Sequence, residues 1–207
     1  MTAYFVGDIP AEDLVVEPAR NGEAVDLTPF NDAEVTLIDP AGVPVPTSGF
    51  LATVGTETVT IEWPGEAVLE EPGLYRVNIV LEHTVTGVRE RITPVNVVVE
   101  SDDGWVSLEG ARAEWPDAPL EDDLLYVLLR VARTEVIEYA PALTAEDPIP
   151  MNYRQGQLMQ VVNRWNAKKV DPATGGIGGE GFIVRPFPLD WMVKQVLRPK
   201  NPVPWVS

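Results

Sequence analysis

The chain has no cysteine, so it forms no disulfide and offers no thiolate to a metal. That suits folding in a reducing compartment. It has a single histidine, His83, and no Ser or Cys stands in a nucleophile-elbow motif that such a base could serve. No apolar run approaches the ~20 residues that span a bilayer, and the opening MTAYFVGDIPAEDL lacks the basic and long apolar regions of a secretion signal. A soluble, cytosolic chain with no membrane partner is expected. Bases are scarce as well, with 15 Lys+Arg against 32 Asp+Glu and a formal net charge of −17.

That shortage is uneven. Residues 1–100 hold 17 acids and 4 bases, residues 101–150 hold 12 and 3, and residues 151–207 hold 3 and 8. A surface so acidic repels phosphates, which excludes tight binding to duplex DNA. Yet the last segment, FPLDWMVKQVLRPKNPVPWVS, carries Lys194, Arg198 and Lys200 against Asp190, and two of the six tryptophans.

What is present divides the 207 residues into two parts. In residues 1–100, EVTLI (34–38) and TVTIEW (58–63) alternate apolar with polar residues, while YRVNIVLEH (75–83) and ITPVNVVVE (92–100) are rich in β-branched residues; both patterns predict strands. Asp39-Pro40-Ala41-Gly42, Pro64-Gly65, Pro72-Gly73 and Thr86-Gly87 predict the turns between them. In LEEPGLY (69–75) a Pro-Gly turn precedes Tyr75, resembling the tyrosine corner of immunoglobulin-like and fibronectin-type sandwiches. An Ig-like β-sandwich over 1–100 is therefore expected, another small β fold being the alternative.

After an acidic linker, SDDG (101–104), the apolar period lengthens from two to about 3.6 residues and predicts a small all-α bundle over 105–207; the chain as a whole is α+β in two domains. A first helix follows Ser107 and stops at Pro116. A second, 120–140, has an inward stripe of Leu124, Leu125, Leu128, Leu129, Ala132, Val136 and Tyr139, with Glu121, Asp122 and Asp123 at the positive end of its dipole. Tyr126 and Ile137 lie off that stripe beside Arg130 and Arg133, so Tyr126, Arg130 and Ile137 are expected to face a neighbouring subunit. A third helix, 151–169, should bury Met151, Leu158, Val161, Val162 and Trp165 and expose Gln160, Arg164 and Lys168. A Gly-rich loop (174–181) and an extended FIVRPF follow. Pro188 then opens a fourth helix with Leu189, Met192, Val193, Val196 and Leu197 inward. RPKNPVPW cannot continue a helix, so 198–207 reads as an extended arm, a solvated end being the alternative.

Several motifs fail on context. Gly176, Gly178 and Gly181 match GxGxxG, but they follow a helix and precede Pro186, where a dinucleotide site needs a strand before and a helix after. The acids 121–123 lack EF-hand spacing. Among 32 acids a converging pair carries no information about glycoside hydrolysis. No enzyme, cofactor or metal is predicted.

Taken together, WVSLEGARAEWPDAP, DDLLYVLLRVARTEVIEYAP, YRQGQLMQVVNRWN, the Gly-rich loop and FPLDWMVKQVLRPK resemble the head-to-tail adaptor (connector) proteins of long-tailed bacteriophages over residues 102–200, most specifically in DWMVKQVLRPK. The leading β domain departs from the family pattern. The resemblance implies a structural virion protein, assembled in the host cytoplasm into a ring of twelve copies below the portal protein at the head–tail junction. The next connector or tail component would bind the ring from below, and DNA would pass through its lumen without specific binding. C-terminal segments of this family clasp the portal; Trp191, Lys194, Arg198, Pro199, Lys200 and Trp205 would do so here. Two alternatives are an Ig-like module that binds glycans or recognises a host, and another ring component of the neck.

Overall fold

A computed structural model describes residues 3–20, 23–46, 50–144, 146–169 and 189–198. The Gly-rich loop 174–181, FIVRPF, Pro188, Pro199, Lys200 and Trp205 lie outside them. The chain is mixed α/β, with an all-β N-terminal region and a helical C-terminal part, and it divides into two compact units between Asp102 and Asp103.

In the first unit, strands β1 (Tyr4–Phe5), β5 (Asp32–Ile38), β8 (Gly73–His83), β9 (Val88–Arg91) and β10 (Val95–Glu100) form one sheet in the order β1-β10-β8-β5, with β9 also on β8. Strands β2 (Leu14–Val16), β6 (Leu51–Val54) and β7 (Val59–Glu62) form a second, in the order β2-β7-β6. Strands β3 (Ala19–Arg20) and β4 (Glu23–Ala24) pair with each other. All pairings are antiparallel except β1 with β10, which is parallel.

Period-two alternation does the packing. Gly73, Tyr75, Val77, Ile79 and Leu81 of β8 are buried, and the last four share one apolar core with Leu37, Val97 and Val99 and with Leu14, Val16, Val59 and Ile61 of the other sheet. Tyr75 is the third residue of β8, and its hydroxyl oxygen accepts the Glu71 N–H at 3.0 Å. Burial pushes its phenol pKa up. The run 92–100 is shorter as a strand than its β-branched content predicts. Val80 pairs with Arg91 and Val77 with Val95, so three steps on β8 face four on the opposing chain. The extra residue falls at Thr93-Pro94, where proline has no N–H for the ladder. Gly87 closes the β8–β9 turn at φ +69°, a conformation that costs other residues steric energy.

The second unit holds α1 (Leu108–Glu114), α2 (Asp122–Tyr139), α3 (Met151–Lys169) and α4 (Trp191–Leu197). Ser107 caps α1 by accepting the Gly110 N–H at 3.1 Å. Arg112 ties the end of α1 to the start of α2 by an ion pair with buried Asp122 at 2.7 Å and a bond to the Leu120 carbonyl at 2.9 Å. The fourth helix starts at Trp191, later than expected from Pro188, because Asp190 caps it by accepting the Met192 N–H at 2.8 Å. The linker is shorter than expected too. Asp103 pairs with Arg133 at 2.5 Å, and Gly104 lies against Ile149, so both belong with the helices.

The third helix departs most from expectation. Its buried residues are Tyr153, Gly156, Gln157, Gln160 and Val161, whereas Met151 is 82% exposed and Leu158, Val162 and Trp165 are half-buried. Hydrogen bonds offset the desolvation of the inward amides. Gln157 Oε1 accepts the Val106 N–H at 3.0 Å and its Nε2 donates to the Leu129 carbonyl at 3.1 Å, while Gln160 Nε2 donates to Glu135 at 2.8 Å. Arg164, expected in solvent, donates through Nε to the same Glu135 carboxylate at 2.9 Å and forms an ion pair with it. That bond holds its guanidinium still more firmly protonated. Only Lys168 of the three predicted outward residues is exposed.

Candidate functional site

The surface around α4 is the chemically distinctive part of the helical unit. Leu189, Val193 and Leu197 recur at helical spacing and bury themselves against Val136, Ala140 and Tyr153. The opposite side is therefore forced outward. Trp191 is 67% and Met192 60% exposed. Met192 had been expected inward; it sits one residue off the buried stripe, and the seven-residue helix has only one covered face.

Lys194 and Arg198 follow on the turns beyond Trp191. Both lie over the ring of Tyr139 in α2, the Lys194 ammonium 5.8 Å and the Arg198 guanidinium 4.7 Å from its centroid. Such contacts hold a cation at a defined place at an exposed site for about 0.5–1 kcal/mol each. A cavity of about 230 Å³ opens beside them, lined by Glu135, Glu138, Tyr139, Leu189 and Lys194. Beneath, the Tyr153 hydroxyl donates to the Pro141 carbonyl at 2.5 Å; burial raises its pKa and Arg198 lowers it. Of the expected portal-facing residues, the structure thus brings Trp191, Lys194 and Arg198 to one short helix and its C-cap. The spacing of Tyr139 predicts only a stripe residue. Its role depends on a helix more than fifty positions away, and nothing local to it signals that.

The expected subunit-facing strip does not hold together. Tyr126 is 7% exposed and belongs to the core; Ile137 and Arg130 are exposed. Tyr126 flanks the inward stripe closely enough to be covered, which a large half-polar ring tolerates. The exposed apolar residues of α2 are instead Val127, Val131 and Ile137, with Leu120 just ahead of the helix.

In the β unit, a groove of about 430 Å³ runs past Asp39, Glu66, Glu70, Glu71 and Tyr75. Among the described residues, no three His, Cys, Asp or Glu side chains lie close enough to hold a metal ion. His83 Nδ1 accepts the N–H groups of Val85 and Thr86 at 3.3 and 3.4 Å, a local turn contact. No helix among the described residues is long and apolar enough to cross a membrane. The helical unit presents an exposed indole and thioether beside two cations held over Tyr139. Comparisons of the chain with protein-family models, with curated proteins and with solved structures return no match.

Proposed function

We propose that this protein is a structural component of a bacteriophage neck, a head-to-tail adaptor. It assembles as a ring of about twelve copies below the portal protein, a number that comes from the family resemblance and its closed cyclic symmetry. The helical unit forms the ring and the downstream connector binds it from below. The observation that carries this reading is the outward pair Trp191 and Met192 on α4, set beside Lys194 and Arg198 at the point where the chain passes into the Pro-rich segment 199–207. Exposed aromatic and cationic residues of this kind are the types that dominate interface energetics. Lys194, Arg198 and Lys200 steer the approach to an acidic rim of the portal, and Trp191, Pro199 and Trp205 fill its grooves. The acidic chain, net −17, lets DNA pass through the lumen without adhering.

The β unit is, in this reading, an Ig-like sandwich carried by the ring. Support comes from the sheet orders β2-β7-β6 and β10-β8-β5, which match strands B-E-D and G-F-C of that fold, and from the Tyr75 hydroxyl bonded to the backbone four residues upstream.

The test is complementation of a phage that lacks its own copy. A chain ended after Arg198 keeps the buried residues of α4 and both cations over Tyr139. It should stay folded by circular dichroism yet leave filled heads and tails unjoined in electron micrographs. Infectious particles from that variant would refute docking through the segment.

A further inference from the structure

Helix α3 buries the wrong residues for an isolated unit. Two glutamines lie inside while Leu158 and Val162 are half in water and Met151 is almost fully so. A helix apolar on the side away from its own core is covered by something else. These residues recur at helical spacing with exposed Gln155; exposed Arg154 borders them, and α3 contains no acid. Helix α2 has a matching face of opposite charge. Val127 and Val131 are exposed one turn apart, Leu120 precedes them, and Glu121, Asp123 and Glu138 border them beside a single base, Arg130.

The two faces are separate surfaces of the unit. Gln157 bonds to Leu129 and Gln160 to Glu135, so those residues mark the sides on which α2 and α3 meet. Val127 and Val131 lie across α2 from Leu129, on the stripe that runs on to Glu135, and Gln155, Leu158 and Val162 lie on the far side of α3 from Gln157 and Gln160. One patch is acidic and the other basic, and both have apolar centres.

We infer that a second copy of this chain covers them: the outer face of α3 in one subunit docks on the outer face of α2 in the next. This deepens the ring reading and rests on it for closure, since a head-to-tail contact between two different patches repeats around a ring, whereas pairing of like patches stops at a dimer. Like charges would oppose α2 against α2, and opposite charges favour α2 against α3. The interface expected from Tyr126 and Ile137 is thereby moved around the helix, to a face that excludes Tyr126.

The absence of native cysteine makes the test direct. Full-length Val131→Cys and Gln155→Cys proteins, one carrying a larger tag, are mixed, oxidised and separated by size. Val85→Cys, on an exposed turn of the β unit, sets the background. The mixed disulfide dimer should exceed either like-with-like dimer at least about tenfold, and Val127→Glu in the Val131→Cys chain should remove that excess. Like dimers as abundant as mixed ones, or no dimer above the Val85→Cys background, would overturn the interface. Gold-labelled antibody on wild-type particles tests the neck reading separately. Label at the head–tail junction without a mixed dimer sinks the interface alone. A mixed dimer with no label there supports the interface and sinks the neck reading.

Discussion

Gly156 sits in the middle of α3, where glycine costs roughly 1 kcal/mol relative to alanine. Its value is proximity. A Cβ there would lie 2.8 Å from Cδ2 and 3.2 Å from Cγ of Leu197, which is fully buried at the end of α4. Gly156→Ala should therefore lower stability by about 1–2 kcal/mol net, the overpacking of α4 outweighing the gain in helix propensity. Urea unfolding checks the sign. Pairing it with Leu197→Ala should recover less than the full loss, because that truncation also empties the cluster with Val136 and Val193. A Gly156→Ala protein more stable than the parent would mean α4 shifts without cost.

At the scale of elements, an ion pair ties α1 to α2. Arg112 reaches the Asp122 carboxylate and the Leu120 and Pro119 carbonyls, and Asp122 is buried. Arg112→Met would keep most of the packing yet leave the carboxylate without its cation, at a cost of about 2–3 kcal/mol. Arg112→Met with Asp122→Asn should recover part of it, because a neutral amide is cheaper to leave in place. Thermal unfolding of the two variants decides, and equal midpoints would show the pair to be solvated.

The elements most legible in the sequence are those whose inward residues are nearly all apolar. β5, β7 and β8 fall within a few residues of their predicted ranges, and α2 within two at its start. The Asp39–Gly42 turn is also as expected, with the Val43 N–H on the Asp39 carboxylate at 2.7 Å. What escaped had a different physical origin. Strands β1 and β2 are two and three residues long, too short for a period to register. The orientation of α3 depends on glutamines whose partners, Val106, Leu129 and Glu135, come from elsewhere in the unit. Hydrophobicity ranks such amides outward, and hydrogen bonding reverses the order. In the candidate site, Trp191, Lys194 and Arg198 were readable because they interrupt an acidic chain; the Tyr139 ring beneath two of them was not.

At the scale of the molecule, two compact units share one chain, each with its own core of buried apolar residues. The β unit begins and finishes on neighbouring strands, since β1 and β10 are paired, with Tyr4 opposite Val99, Phe5 opposite Glu100, and the Val6 N–H on the Glu100 carbonyl at 3.0 Å. Because the pairing is parallel, tension applied between residues 3 and 102 drags the two strands past each other lengthwise. Every bond between them is then loaded together, in shear, and none can open first as the teeth of a zipper do. Val6→Pro deletes one of those few bonds by removing its donor. In single-molecule pulling between those residues the substitution should lower the rupture force of the β unit, with only a small change in its chemical stability, and an unchanged force would place the resisting element elsewhere in the sheet.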